Sequence, residues 1–185
     1  VRASDKFAVF IAVLALCVSV YQALVSHDTE QRSLRAYVLV DKSEIGINDD
    51  KRTATVNLTM KNFGLTPAYD FRHWACAFVR KVPIQENDIP DITKGIAAPP
   101  TIVAPQGAKG KVFTGLCDQT IPITEPERNE IKNGSKAVYV VGVVTYRDAF
   151  YVDRITRYRR HWNDALGSVS VDDDSGNCAD DSCKH

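Results

Sequence analysis

Nineteen consecutive residues near the start of the chain, Phe7 to Val25, read FAVFIAVLALCVSVYQALV and carry no formal charge. A helix rises about 1.5 Å per residue, so a run of this length spans roughly the 30 Å hydrocarbon core of a bilayer. A helix packed into a soluble domain normally keeps a polar stripe, and none appears before Ser19. Ser19, Tyr21 and Gln22 collect toward the far end, where amphipathic side chains suit the headgroup region. The run therefore reads as one transmembrane helix over 7–25, with Phe7, Phe10, Leu14, Leu16, Val20 and Leu24 as its lipid anchor.

Two other readings of the same run are weaker. A cleaved secretory signal also begins with basic residues, as Arg2 and Lys6 do here. Its apolar region is usually shorter, however, and Ala23-Leu24-Val25 matches a small-x-small cleavage site poorly. Leu14-Ala15-Leu16-Cys17 has the outline of a bacterial lipoprotein site, but Leu16 is large where a small residue is required, which leaves Cys17 as a membrane-buried thiol. Residues 1–6 are then a short flank and 26–34 a polar connector that continues the helix into water. Arg2 and Lys6 on one side face Arg32 and Arg35 on the other, so the distribution of basic residues does not orient the helix.

Outside this segment four cysteines remain, Cys76, Cys117, Cys178 and Cys183. Two bridges, Cys76 with Cys117 and Cys178 with Cys183, are the expected pairing, although reduced cysteines in a core are the alternative for the first pair. Closing a loop of about 40 residues between Cys76 and Cys117 contributes roughly 3 to 4 kcal/mol when unstrained. Either bridge places the domain in an oxidising compartment, a periplasm, cell exterior or organelle lumen; the expected location is the cytoplasmic (inner) membrane, with the domain in the periplasm or cell exterior.

The remainder is the size of one domain. Thr53 to Lys61 gives the clearest alternation, with Val56, Leu58 and Met60 on one face, and reads as a half-buried strand. Arg35 to Val40, Tyr69 to Arg80, Lys111 to Asp118, Ala137 to Tyr146 and Arg154 to Trp162 read as further strands, with turn residues from Gly46 to Asp50 following the first. Ala137 to Tyr146 is nearly all apolar and belongs at a sheet centre, whereas Arg154 to Trp162 has no clean apolar face and suits an edge. On Tyr69 to Arg80 one face carries Trp74, Cys76 and Phe78, an indole beside a candidate disulfide sulfur. Thr124 to Asn133 is a short helix, with Thr124 and Glu127 as a capping box and Gly134 as the stop. Lys81 to Gly110 holds five prolines and reads as a long loop of the kind that carries function. The expected fold is mainly β: an immunoglobulin-like antiparallel β-sandwich over 35–166 with one short helix, then an acidic, disordered tail over 167–185.

Two short motifs carry a resemblance. Asn62-Phe63-Gly64-Leu65-Thr66-Pro67-Ala68, and Tyr146-Arg147-Asp148-Ala149-Phe150 followed by Arg154-Ile155-Thr156-Arg157-Tyr158, resemble a group of uncharacterised bacterial proteins with one membrane helix and one β-sandwich domain. The resemblance implies topology and a bacterial envelope setting, and no activity.

Residue chemistry narrows the function classes further. Charge balances at 23 basic and 23 acidic residues, which argues against a nucleic-acid partner. The histidines are His27, His73, His161 and His185, none in a catalytic motif, so no enzymatic activity and no cofactor is expected. Arg157, Arg159 and His161 share one strand face and are candidates for anion or partner contact, against the simpler role of a charged edge paired with the domain's own acids. Asp148 suits a turn or a pair with Arg147 or Arg154. The tail Cys178-Ala179-Asp180-Asp181-Ser182-Cys183-Lys184-His185 has donor types that suit zinc, without the spacing of a closed site. The expected function is a membrane-tethered, extracytoplasmic β-sandwich that binds protein or serves as a structural module of the envelope, its partners being the lipid bilayer and an unknown protein or envelope component. The alternative is a metal- or redox-responsive sensor using that tail.

Overall fold

The computed structural model describes residues 3–48, 53–89, 100–114, 123–167 and 170–184. It begins with one helix, α1 (Ala3–Leu34). At 32 residues it is about 48 Å long, well beyond a bilayer's hydrocarbon core of about 30 Å. Neither glycine nor proline interrupts it. Beyond Val25 the helix turns polar and is supported along its own surface, by an Arg32 to Asp28 ion pair of 2.9 Å and a Gln31 to His27 hydrogen bond of 2.9 Å. Among the described residues Phe10–Leu34 is the one helical stretch long and apolar enough to cross a membrane, and its most apolar part is not buried against the rest of the chain.

Among the described residues nine strands follow, β1 (Val38–Asn48), β2 (Thr53–Asn62), β3 (Ala68–Lys81), β4 (Thr101–Val103), β5 (Ala108–Thr114), β6 (Lys136–Arg147), β7 (Asp153–Trp162), β8 (Val171–Asp172) and β9 (Cys178–Ala179), with helix α2 (Glu125–Lys132) between β5 and β6. One antiparallel sheet has the order β1-β2-β5. The larger runs β4-β3-β6-β7-β8, with β9 also paired to β7. β2 alternates as its sequence dictates, burying Ala54, Val56, Leu58 and Met60. These meet Ala75, Ala77 and Val79 of β3, Val138, Val140 and Val144 of β6, and Tyr158 and Trp162 of β7 in one core shared by both sheets. Full burial of a side chain such as Leu58 stabilises by about 1.5 to 3 kcal/mol.

A second, smaller cluster lies on the opposite face of β3 and β6, where Cys76, Phe78, Ala137, Tyr139 and Val141 pack against Ile84 and Ile89. Trp74 and Cys76 therefore do share a face, but it is the outer one, and the indole is only half-buried. The apolar side chains of Val79 and Ala77 claim the inter-sheet side of β3 instead.

Several boundaries differ from those read in the sequence. β1 does not turn at Gly46; it runs to Asn48, because a bulge between Val40 and Lys42 absorbs the polar Asp41 and returns Ser43 and Ile45 to the buried side. Within 81–110 the described parts include β4, the start of β5 and a 3-10 turn at Glu86–Asp88. The segment beyond Gly167, expected to be disordered, forms β8 and β9 along β7, so β7 does not end the sheet. Its acids find arginines there, and that compensates the ordering of a chain with little apolar content.

α2 begins with the capping box: Thr124 Oγ1 accepts from Glu127 N, and Glu127 Oε2 accepts from Thr124 N at 3.1 Å. Ile131 is its one buried residue. Thr124→Ala should cost about 1 kcal/mol in urea unfolding, without moving the membrane-associated fraction.

Candidate functional site

The most heavily built part of the structure is the point where α1 enters the β domain. The last helical hydrogen bond runs from Arg35 N to Gln31 O at 3.0 Å. Beyond it, side chains from other strands take the backbone. Tyr37 N donates to Asn62 Oδ1 at 3.0 Å, while Val38 N donates to the Tyr146 hydroxyl at 3.3 Å. That hydroxyl donates onward to Ala36 O at 3.3 Å, and Thr156 Oγ1 donates to Val38 O at 2.9 Å. Phe63 N closes on Tyr37 O at 2.7 Å. Three residues, 36–38, are thus held by side chains of β2, β6 and β7 together.

Gly64 completes this collar. A Cβ there would collide with the backbone of Arg35, Ala36 and Tyr37, none of which is a flexible side-chain end, so only glycine permits the approach. Asn62 is fully buried and uses its whole carboxamide, with Oδ1 accepting also from Gly64 N at 3.0 Å and Nδ2 donating to Thr66 O at 2.8 Å. Pairing with Val38 across the ladder sets it in place.

A row of alternating charges runs beside the collar. Asp148, with no side-chain exposure, accepts from Phe150 N at 2.9 Å, Val152 N at 3.0 Å and Arg154 Nε at 2.8 Å. It therefore forms the turn and the arginine pair at once. Arg154 also lies 3.7 Å from Asp180, which lies 3.3 Å from Arg35. The order Arg35, Asp180, Arg154, Asp148 neutralises itself, which is how charges persist with so little solvent. A cleft of about 370 Å³ opens over this row, lined by Arg32, Arg35, Tyr37, Arg154 and Asp180 among others.

Burial pushes the Tyr146 phenol up to about 12. Its protonated form is the one that donates to Ala36 O. Because the folded value lies above the unfolded 10.0, this contribution is complete below pH 10 and disappears as pH rises toward 12. Tyr146→Phe should cost about 1 to 3 kcal/mol, since it orphans Ala36 O and Val38 N, and should remove that alkaline step from a pH series of unfolding curves.

The residues singled out in the sequence fall into three groups. Phe10, Leu14, Leu16, Val20 and Leu24 all stand exposed on α1, each by more than half of its surface, as a lipid-facing helix requires. Phe7 lies on the same helix, its side chain outside the described residues. Cys178 and Cys183 form a disulfide with Cα atoms 5.2 Å apart. Cys76 is buried on the outer face of β3 and is disulfide-bonded, while Cys117 lies outside the described residues. Arg157, Arg159 and His161 do not form an open cradle. Arg157 is exposed, but Arg159 is buried, pairing with Asp173 at 2.6 Å and Glu86 at 3.0 Å, and its guanidinium also reaches Ser175. His161 is half-buried against the Tyr139 ring. His73 is a core residue hydrogen-bonded to the Tyr158 hydroxyl. Among the described residues no group of three or more His, Cys, Asp or Glu is placed to hold a metal ion.

Asn62, Tyr146 and Thr156 were not singled out as site residues, yet they build the collar. A signal existed for the first two. Continuing the parity of Val56, Leu58 and Met60 puts Asn62 on the core face, and the parity of Val140 and Val144 does the same for Tyr146; a polar group at a core position needs a partner. No family model matches the chain, and no curated protein matches it in sequence.

Proposed function

We propose that the chain is a single-pass protein of the cytoplasmic membrane whose immunoglobulin-like β-sandwich stands in the periplasm or cell exterior and serves as a protein-binding or structural module of the cell envelope. The observation that carries this reading is the collar. A tether that only had to keep a domain near a bilayer would be served by a flexible linker. Here the anchor helix passes into the domain without one, and the backbone of three residues, 36–38, is clamped by side chains of three strands. With the helix apolar up to Val25, the nine residues 26–34 lift the collar about 14 Å above the hydrocarbon edge, just beyond the headgroups. A fixed height and orientation matter to a module that presents a surface to a partner.

Three further points support the details. The order β1-β2-β5 in one sheet and β4-β3-β6-β7-β8 in the other supports an immunoglobulin-like reading, although Cys76 sits outside the inter-sheet core. The Cys178 to Cys183 bridge favours an oxidising compartment. Both motifs that carry the resemblance to bacterial membrane-anchored sandwich proteins fall at the collar, through Asn62 and Gly64 in one and Tyr146, Asp148 and Thr156 in the other. A photoreactive phenylalanine analogue at position 157, the exposed arginine of β7, tests the binding role in intact membranes. Discrete adducts that excess unlabelled protein suppresses are expected; a folded protein that yields none contradicts it.

A further inference from the structure

The outer edge of β7 is filled in an unusual way. β8 pairs only with Arg160 and His161, and β9 only with Thr156 and Arg157. Between them a side chain stands in for a strand. Arg159 N donates to Asn177 Oδ1 at 2.8 Å, and Arg159 O accepts from Asn177 Nδ2 at 3.3 Å and from Asp173 N at 3.0 Å. The carboxamide thus mimics the donor and acceptor of a peptide group.

What holds this segment is polar. Asp173 pairs with Arg159 at 2.6 Å, Asp172 with Arg160 at 2.9 Å, and Asp180 lies between Arg35 and Arg154. Ser170 reaches Ser43 O of β1 through both its N, at 3.3 Å, and its Oγ, at 3.1 Å. Val171 and Asp172 are exposed, and only Ser170 and Asp180 are buried among its described side chains. Without an apolar anchor, the covalent clasp matters most. The disulfide ties Cys178, paired to Arg157, to Cys183 five residues on, and so fixes Asp180 beneath the two arginines. Asp180 takes a positive φ of 52°, a conformation uncommon outside glycine and one that a constraint helps maintain.

We propose that residues 170–184 are a built-in occupant of the β7 edge, latched by the Cys178–Cys183 disulfide, and that opening the latch frees the edge for an extended acidic segment of a partner protein. This rests on the binding role above and names the surface, the partner chemistry and its control. The partner is acidic because the segment it replaces is: Asp172, Asp173 and Asp180 answer Arg160, Arg159, Arg154 and Arg35. It is extended because the sites to be filled are backbone groups of a strand, the pattern of β-augmentation. Opening is thiol–disulfide exchange with an external dithiol. Its two sulfurs surrender two electrons and two protons and join to each other, while the Cys178–Cys183 bond breaks and both sulfurs leave as thiols.

Hydrogen exchange on the full-length protein in detergent micelles tests the latch, comparing the oxidised protein with Cys178→Ser/Cys183→Ser. The Arg159 amide should exchange at least about tenfold faster in the variant, with β2, β3 and β6 unchanged. Asn177→Ala, which keeps the disulfide, should speed the same amide and so covers the case of a double variant that folds poorly. A labelled synthetic peptide of residues 170–184, with both cysteines replaced by serine, should bind the double variant, weaken with added salt, and fail to bind the oxidised protein. If Arg159 stays as protected in the double cysteine variant as in the oxidised protein, the latch is refuted while the binding role stands. If the edge opens and takes up no peptide, edge recognition is refuted, and with it the support it lends to the binding role.

Discussion

Asp148→Ala should lower the unfolding free energy by about 3 to 5 kcal/mol, the usual cost of removing one partner from a buried ion pair. Arg154, only 16% exposed, would keep its charge, and Asp180 at 3.7 Å would offset part of the loss. Phe150 N and Val152 N would lose their acceptor in the same step. Asp148→Asn should cost distinctly less, because an amide oxygen still accepts those two bonds and only the charge is lost. Urea unfolding in detergent, followed by tryptophan fluorescence, measures both. Equal losses for the two variants would show that the turn's shape, and not the charge row, sets the stability of this corner.

Asn62→Ala should be nearly as damaging, at about 2 to 5 kcal/mol, since it leaves Tyr37 N, Gly64 N and Thr66 O without their partners in a buried or half-buried site. Its second effect is more informative. Tyr37 N lies in the first peptide unit past the helix that the domain captures, so the variant should loosen the join between helix and sandwich before it unfolds either. Proteolysis of the native protein would then cut near residues 33–38 well below the urea midpoint. A variant that is cut there no faster than the parent would place the strength of the join elsewhere.

Much of this architecture is legible in the sequence, because its signals are periodic or local. The uncharged run from Phe7 to Val25, the alternation of β2 and the Thr124 capping box each follow from neighbouring residues alone. The parts that escaped depend on distant partners. Nothing near Arg159 in sequence says that Asp173, Ser175 and Asn177 will fold back on it, so the strand read as a charged edge paired with the domain's own acids without those partners being identified, and the tail as disordered. Likewise Trp74 and Cys76 share a face by parity, yet parity cannot say which face of β3 meets the second sheet. The collar lay between these cases: Asn62 and Tyr146 stand out as polar residues at core positions, while their partner, the backbone of residues 36–38, is visible only once the strands are assembled.

The collar also explains why motifs with no catalytic residue are compact. Gly64 must lack a side chain, Asn62 must offer both a donor and an acceptor, and Asp148 must cap a turn while neutralising Arg154. These are the requirements of a rigid joint. They suit the module proposed above, and the disulfide-clasped segment along β7 is where its surface is proposed to be regulated.

Labelling intact cells with a membrane-impermeant maleimide, before and after a brief treatment with reductant, tests the central claim most directly. A domain held outside the cytoplasm by α1 should stay unlabelled at first and react at Cys178 and Cys183 once they are reduced, with Cys17 silent inside the bilayer. Labelling that appears only after the cells are broken open, with or without reductant, would put the domain on the other side and contradict the account.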